Sequence, residues 1–319
     1  MLCALDAEDG EVKAIIVANK RGLSAYRASV YIDCTGDADL ATWAGAQILP
    51  HENDDGYQPA THCYEIGYVD MEAYLNGPRL HSSNPESPIH QIVPSGEYDI
   101  PDKHFCNNQV APDTVGFNAG HIWGVDNTDP ESVSKALLRG RVLAHEIHRA
   151  LVDHQPKAFG NSAITLTASL MGIRETRRIL GDYVLVKEDY LARRTFEDEI
   201  CRNCYYLDVH GSKARATLSN EGKFDYETVT CRYGKGESHG IPYRCLTPKG
   251  LKNVLVAGRS ISTDRITQGS VRVMPVCLCM GEAAGKAAVL AKAAPTVDVH
   301  SIDVSELRRQ IIEDGGYIL

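Results

Sequence analysis

Apolar and polar residues alternate in two stretches near the start of the chain, residues 12–18 and 23–32, with a turn sequence at 19–22 between them. Alternation of this kind predicts half-buried strands, so the two stretches are expected to form a hairpin. The second strand is predicted to continue through Tyr31 and Ile32. A short apolar helix is expected to follow and to reach Ala46.

A glycine turn joins this strand to this helix. Thr35 and Gly36 end the strand, and Asp37 occupies the position of a helix N-cap, so one interpretation is an ordinary strand, turn and helix. The alternative is that Gly36 lets the backbone approach a phosphate or another part of a bound ligand closely. The local pattern is compatible with both interpretations.

The middle of the chain is less regular. Residues 49–132 are rich in Pro, Gly, Asn, Asp and His and show little periodicity, which predicts surface loops or the walls of an active site. Residues 133–154 instead have the period of an amphipathic helix. Its predicted apolar face contains Val133, Leu137, Leu138, Val142, Ile147 and Leu151.

A charged run follows the next predicted strand. Residues 163–185 begin with strand-like alternation and break at Gly172. Four charged side chains then fall within five positions: Arg174, Glu175, Arg177 and Arg178. Because apolar sequence flanks the run on both sides, some of these charges are expected to be buried and paired rather than solvated.

The last third of the chain has a second strand, glycine turn and helix. Residues 254–257 predict a short buried strand, Gly258 and Arg259 a turn, and residues 260–269 a polar loop. A helix lined with small residues is predicted from about Met274 to Ala294, so another element is expected to pack closely against its backbone. Free N–H groups at residues 268–270, before the helix, could hold an electron-rich ligand. A final helix is predicted over residues 305–313.

Composition narrows the class of protein. The 319 residues carry a net charge of −9, which argues against a nucleic-acid partner, because phosphate binding needs a concentrated basic surface. No apolar run approaches the roughly 20 residues of a membrane span, and no signal peptide opens the sequence. A cytoplasmic protein without a membrane partner is therefore expected, with its ten dispersed cysteines reduced.

Two local patterns could bind a metal ion. His145 and His148 lie three positions apart on the predicted helix, and Cys201 and Cys204 have the spacing of a zinc half-site or a redox pair. The further zinc ligands would have to come from distant positions, His210 and Cys231. Neither pattern has a complete ligand set, so a chain without bound metal is expected.

Several segments resemble a single family. The stretch 253–288, NVLVAGRSISTDRITQGSVRVMPVCLCMGEAAGKAA, closely resembles the C-terminal flavin-binding segment of bacterial FAD-dependent oxidoreductases. These have the glutathione-reductase or fumarate-reductase type of FAD domain. The stretches DCTGDADL at 33–40, GIRETRRILGDYVL at 172–185 and GIPYRCLTPKG at 240–250 are similar to segments of the same family.

The resemblance implies a mixed α/β fold. A partial FAD/NAD(P)-binding domain would comprise residues 1–48 and 246–319, with residues 49–245 as an inserted substrate domain. The positions carried over as flavin contacts are Thr35, Gly36, Asp37, Gly258, Arg259, Gln268, Gly269, Ser270, Val273 and Met274. Arg174 and Glu175 are carried over as residues that contact the substrate or support those that do. Candidates for catalysis are Arg174 and, for proton transfer, His239 and Tyr243.

One part of the family pattern is missing. FAD domains of this type begin with a strand, a G-x-G-x-x-G turn and a helix that hold the pyrophosphate, and the 319 residues contain no such sequence. The chain is thus interpreted as a C-terminal portion, as one of two subunits, or as a relative that no longer binds flavin. The expected activity is hydride transfer between a small organic substrate and FAD; the alternative is a non-catalytic structural or assembly subunit. A Rossmann-half subunit or a homo-oligomer is the expected assembly.

Overall fold

A computed structural model describes residues 1–50, 57–211 and 232–319. The chain divides into two compact units. The first unit comprises Met1–Asp54, Glu175–Val209 and Thr230–Leu319, and the second comprises Asp55–Arg174 and His210–Val229. Residues 175–209 thus belong with the two ends of the chain, whereas the sequence placed them in the inserted domain. The predicted bounds of the functional domains stay a prediction.

The described elements follow one another in a mixed α/β order, as predicted. The strands are β1 (Leu2–Glu8), β2 (Glu11–Asn19), β3 (Gly22–Tyr26), β4 (Tyr31–Asp33), β5 (Tyr64–Gly67), β6 (Phe105–Ala111), β7 (Thr114–Ala119), β8 (Ala163–Thr167), β9 (Glu199–Asn203), β10 (His239–Pro242) and β11 (Val254–Val256). The helices are α1 (Asp39–Trp43), α2 (Met71–Asn76), α3 (Ile89–Ser95), α4 (Pro130–His154), α5 (Pro156–Phe159), α6 (Lys187–Leu191), α7 (Arg265–Val271), α8 (Met274–Ala293) and α9 (Val304–Glu313).

In the first unit, β1, β2 and β3 form an antiparallel sheet in that order, so the predicted hairpin is confirmed. The prediction that its second strand continues to Ile32 is wrong. The strand β3 ends at Tyr26, and Tyr31 begins β4, which pairs in parallel with β11. Tyr31 lies opposite Val254, and Asp33 lies opposite Val256. A partner more than two hundred residues away in sequence therefore decides where the early strand breaks.

The first unit has its core around the helix α8. Val276, Met280, Ala284 and Ala287 on the inner face of α8 are buried against apolar residues of β9, β11 and α9. A second cluster contains residues of β2, β4 and α1. The predicted helices at 274–294 and 305–313 are confirmed, within a residue at each end.

The outer face of α8 is exposed and largely apolar, apart from Glu282, which pairs with Lys286. Met274, Leu278 and Val289 are exposed, and a Cβ added at Gly281 or Gly285 would have no atom of the described residues within 4 Å. The expected close packing is therefore found at the alanines but not at these two glycines. Over its 20 residues, α8 is long and apolar enough to cross a membrane, contrary to the sequence expectation. A helix in the core of a soluble protein can be equally long and apolar.

In the second unit, the four-stranded antiparallel sheet has the order β6-β7-β5-β8. The prediction that residues 49–132 form surface loops is wrong for much of this stretch, because it contributes β5, β6, β7, α2 and α3. The alternative prediction, that it forms the walls of an active site, stays a prediction. The strands of this stretch are short and rich in Asn and Gly, which hides their alternation. Buried Tyr64, Ile66 and Phe117 nevertheless face one core cluster with residues of α4.

The helix α4 is confirmed, but its predicted apolar face is partly wrong. Leu138 and Val142 are exposed. The buried face consists mostly of small residues: Ala136, Gly140, Leu143, Ala144, Ile147, Ala150 and Leu151. A Cβ at Gly140 would lie 2.3 Å from Cβ of His62, so the backbone of α4 approaches its neighbour too closely for a side chain there.

Candidate functional site

Two glycine turns follow the adjacent parallel strands of the first unit. Gly36 comes after β4 with φ of 86°, and Gly258 comes after β11 with φ of 99°. Both angles lie in the left-handed region that favours glycine. At Gly258, an added Cβ would meet no atom of the described residues within 4 Å. Open α/β sheets bind their ligands outside the carboxyl ends of such strands, so these turns lie where a ligand is expected.

The side chain of Arg259 connects the two turns. Its Nη2 donates to Oδ1 of Asp37 at 2.9 Å, and its guanidinium lies 2.8 Å from the position of a Cβ on Gly36. The next residue contributes as well, since Oγ of Ser260 donates to the carbonyl oxygen of Gly36 at 2.6 Å. Nε of Arg259 is buried and has no hydrogen-bond acceptor among the described residues. Arg259 therefore combines a fixed position with an N–H group that a ligand could use.

The predicted N-cap role of Asp37 is wrong. The N-cap of α1 is Ala38, in the left-handed conformation, and Asp37 accepts hydrogen bonds from Thr176 and Arg259 instead. Asp33 satisfies the helix start: its Oδ2 accepts from the backbone N–H of Ala41 at 2.9 Å. Its Oδ1 also accepts from the N–H of Thr35 at 3.0 Å. This role of Asp33 could not be predicted from the local sequence, because its carboxylate lies at the end of β4 rather than at the usual capping position.

The expected polar loop at 260–269 contains the start of α7. This helix begins at Arg265, and the side chain of Asp264 caps it by accepting from the N–H of Thr267 at 2.7 Å. Gln268, Gly269 and Ser270 are buried inside the helix. The idea that residues 268–270 present free N–H groups is wrong for Gln268, whose N–H donates to the carbonyl oxygen of Asp264 at 3.0 Å.

Neighbouring chain segments occupy the other residues of this group. Oγ of Ser270 donates to the carbonyl oxygen of Tyr205 at 2.5 Å, and a Cβ on Gly269 would lie 2.8 Å from the carbonyl oxygen of Asp208. Val273 is the N-cap of α8, and Met274 is exposed. Flavin contacts at these four residues and at Gln268 stay predictions.

Glu175 belongs to a buried charged network in the first unit. Its Oε2 lies 3.2 Å from Nε of Arg265, and its Oε1 lies 3.9 Å from Nη2 of Arg178. Arg178 also donates from Nη1 to the carbonyl oxygen of Thr263 at 2.9 Å. All three charged side chains are buried, which confirms that charges of this run are buried and paired. These contacts favour a supporting role for Glu175 at the start of α7.

Arg174 is the last residue of the second unit before the chain crosses to the first. Its Nη1 donates to the carbonyl oxygen of Pro59 and to Oγ1 of Thr61, both at 2.7 Å. Its Nη2 lies 3.4 Å from Nε2 of His104 and 3.4 Å from Oδ1 of Asn118. The guanidinium is buried among polar side chains, and its role in substrate binding or catalysis stays a prediction.

Three histidines converge beside Arg174 in the second unit, namely His104, His121 and His210. Nε2 of His121 lies 2.8 Å from Nδ1 of His210, and the rings of His104 and His121 stack with centroids 4.2 Å apart. Burial lowers the pKa of His104 well below its ordinary value, with further contributions from the other two histidines and from Arg174. This cluster could not be predicted from the sequence, because the three positions share no local spacing.

The two residues predicted for proton transfer are buried in the first unit. His239 is completely buried, and its pKa is lowered to about 4 by burial and by the charge of Arg202. Tyr243 donates its hydroxyl to the carbonyl oxygen of Val299 at 2.7 Å, and burial raises its pKa. Burial and hydrogen bonds of this kind are typical of residues that stabilise a fold. Catalytic roles for His239 and Tyr243 stay predictions.

The cysteine pair has a different setting from the predicted one. Cys201 lies within β9 and is buried, which raises its pKa, whereas Cys204 is exposed just after the strand. Strand-like sequence at 203–209 predicts that the pair precedes a strand, and this prediction is wrong, because the strand spans Glu199–Asn203. Cys231 lies outside the described residues, and the described cysteines are free thiols.

Two parallel strands, each followed by a glycine turn, with an arginine–aspartate pair between the turns, are typical of α/β proteins that bind a ligand at the carboxyl ends of their strands. Comparison with family models supports a narrower assignment: the model of the FAD dependent oxidoreductases matches residues 1–311. The chain belongs to the FAD-dependent oxidoreductase family, which confirms the resemblance and the α/β fold inferred from the sequence. Among curated proteins, no relative was found that matches the chain.

Proposed function

We propose that the chain forms the part of a cytoplasmic FAD-dependent oxidoreductase that holds the ribityl chain and the isoalloxazine ring. Hydride would pass between this ring and a small organic substrate. The observation that carries the proposal is the pair of left-handed glycines at the ends of two adjacent parallel strands, with Arg259 between them. The family match supports the cofactor independently.

The residues at these turns fit a flavin. The open space at Gly258 would allow backbone N–H groups to approach the cofactor closely. The buried Nε of Arg259 would donate to an electron-rich ring atom and bring a positive charge to it. The pairing with Asp37 holds the guanidinium in place. When bound, the flavin supplies the redox chemistry, because it accepts or gives a hydride.

Arg174 is our candidate for orienting the substrate. Its guanidinium lies among the polar side chains of Thr61, His104 and Asn118, a setting that suits a polar or anionic small molecule. Glu175 would act indirectly, because its carboxylate is occupied by Arg265 and Arg178 in the first unit.

We propose a partner that supplies the phosphate-binding half of the site. The sequence has no G-x-G-x-x-G turn, and the parallel sheet has two strands among the described residues. A strand–turn–helix polypeptide of the Rossmann type would add to this sheet and supply the missing N–H donors. The exposed apolar face of α8, with Leu278 and Val289 beside the open Gly281 and Gly285, is the surface we assign to that partner.

The proposal is tested with a matched pair of glycine variants. Gly258 and Gly22 have φ of 99° and 97°, and neither has a neighbour within 4 Å of an added Cβ. Gly258→Ala and Gly22→Ala should therefore cost a similar backbone strain of about 1–2 kcal/mol. Gly22 is the first residue of β3, where it pairs with Asn19 of β2, and it does not lie at the strand ends where the ligand is expected.

FAD binding is measured by flavin fluorescence and by absorbance near 450 nm, a wavelength typical of flavins, with the chain and a Rossmann-half polypeptide of the family mixed in equal amounts. Gly258→Ala should weaken FAD binding about tenfold or more, since overpacking by one methyl group costs roughly 1–3 kcal/mol. Gly22→Ala should bind FAD like the unchanged chain. Equal effects of the two variants would overturn the assignment of the site. A stable complex that stays colourless would favour the alternative, a non-catalytic structural or assembly subunit.

A further inference from the structure

We propose that His104, His121 and His210 form a binding site for one divalent transition-metal ion in the second unit. Each histidine offers one ring nitrogen, and these three atoms all lie within 4.8 Å of one another. Imidazole nitrogens bind zinc, cobalt, iron and related ions at about 2.0–2.1 Å, which places two such ligands about 3.4 Å apart around a tetrahedral ion. The widest pair would have to draw together by roughly 1.5 Å.

The sheet of the second unit brings the first two histidines together. β6 and β7 are paired with Phe105 opposite Ala119, so the residues just outside this register lie side by side at one end of the hairpin. His104 precedes β6, and His121 follows β7 after Gly120. The N–H of Gly120 donates to the carbonyl oxygen of His104 at 2.8 Å, which closes this end of the hairpin.

The third histidine is held against the same pair. Nδ1 of His210 lies 2.8 Å from Nε2 of His121, and the backbone N–H of His210 donates to Oε1 of Gln58 at 3.1 Å. The indole Nε1 of Trp123 donates to the carbonyl oxygen of Gly211 at 3.3 Å. His104 and His210 are half-buried, so both can adjust toward an ion more easily than the buried His121.

Asp102 supplies the outer partner that metal-binding histidines usually have. Its Oδ2 is hydrogen-bonded to Nδ1 of His121, and both side chains are buried. This contact assigns the proton to Nδ1 and leaves the lone pair of Nε2 directed at the cluster. The backbone N–H groups of His104 and His121 also lie 3.4 Å from Oδ1 of Asp102, so one carboxylate orients two of the three histidines.

A site with three imidazole ligands and no thiolate leaves one coordination position of a tetrahedral ion unfilled by the protein. Structural zinc sites usually have four protein ligands, whereas sites with three keep one position for water or substrate. The guanidinium of Arg174 lies 3.4 Å from Nε2 of His104, so its positive charge would repel a metal ion bound there without an anion. We therefore expect an anionic group, hydroxide or carboxylate, in the fourth position, where both positive charges attract it.

The test is a titration of the purified 319-residue chain with Co²⁺ after removal of metals by a chelator. Saturation at one Co²⁺ per chain, with a visible absorption band that Zn²⁺ abolishes by displacement, is the expected result. No flavin or partner is needed, so this outcome does not depend on the proposed oxidoreductase function. Failure to bind either ion with one-to-one stoichiometry would overturn the metal site.

Variants separate this site from binding elsewhere on the chain. His210→Ala and His104→Ala should remove the absorption band, whereas His145→Ala, an exposed histidine of α4 in the same unit, should leave it unchanged. Asp102→Asn should keep the stoichiometry and weaken affinity about 10–100-fold, as loss of an outer partner does. Circular dichroism checks that each variant is folded. Wild-type affinity in folded His210→Ala or Asp102→Asn would contradict the assignment.

Discussion

Lowering the pH should destabilise the protein through His239. Nδ1 of this buried imidazole lies 3.0 Å from the hydroxyl of Tyr233, which itself donates to the carbonyl oxygen of Tyr190. Nδ1 must therefore carry the proton of the neutral ring. Protonation would add an N–H at Nε2, which is buried without an acceptor among the described residues, and a charge near Arg202. The pKa of His239 is lowered from 6.5 to about 4, mainly by burial and to a smaller extent by the charge of Arg202.

The sign and size of the effect follow from proton linkage. Between these two pKa values the unfolded chain binds more protons than the folded one, so stability falls as the pH falls. The contribution of His239 to the free energy of unfolding is complete above pH 6.5 and is lost progressively as the pH falls to about 4. For this pair of pKa values, the loss between about pH 7 and pH 5 is about 2 kcal/mol. At pH values below both pKa values, the total loss of stability from this group is about 3 kcal/mol.

The assay is urea unfolding at pH 7 and at pH 5, for the unchanged chain and for His239→Asn. Asparagine retains an N–H donor toward Tyr233 but does not titrate, so the variant should lose about 2 kcal/mol less over this interval. Comparing the two losses removes the contributions of other histidines, including His104. His145→Asn serves as the exposed control and should behave like the unchanged chain. Equal losses in His239→Asn and the unchanged chain would refute the reasoning.

Three further predictions concern buried charges and the cofactor. Glu175→Ala removes a buried carboxylate that contacts the buried guanidinium groups of Arg265 and Arg178, and should lower the free energy of unfolding by about 3–5 kcal/mol. Lys135→Ala, which breaks an exposed ion pair, should change it by at most about 1 kcal/mol in the same urea experiment. Arg174→Ala should cost about 2–5 kcal/mol, and an unchanged urea midpoint would contradict its burial. The chain alone should bind FAD roughly 5–9 kcal/mol more weakly than the complex with a Rossmann-half polypeptide, because at least three charge-assisted hydrogen bonds to the pyrophosphate are missing. Sub-micromolar one-to-one FAD binding by the chain alone, measured by fluorescence titration, would contradict that expectation.

Elements with strong local patterns could be predicted from the sequence. The β2–β3 hairpin, β8, α8 and α9 each have a clear period and a turn or cap at their ends. The wrong predictions have long-range causes. Tyr31 leaves the hairpin because it pairs with Val254, and α4 buries alanines and Gly140 because its backbone lies close to His62. A period of apolar residues cannot show either effect, since both depend on a distant partner.

The candidate flavin site was predictable for a different reason. Gly36, Gly258 and Arg259 stand in segments that resemble the family, so the resemblance located them before their geometry was known. The link between them was not predictable, because the bond from Arg259 to Asp37 joins positions 222 residues apart. The capping role of Asp33 was missed for a similar reason, since its carboxylate reaches Ala41 across the turn.

The histidine cluster shows what sequence spacing cannot reveal. A sequence can indicate a metal site when the candidate ligands lie a few positions apart. The pairs at 145 and 148 and at 201 and 204 have such a spacing, although neither has a complete ligand set. His104 and His121 meet only because β6 and β7 pair in one register, and His210 joins them from 89 residues beyond His121. The cluster and the glycine turns share no residue and belong to different units. Titrations with Co²⁺ and with FAD therefore test two separate properties of one chain, and a variant that abolishes one should leave the other measurable.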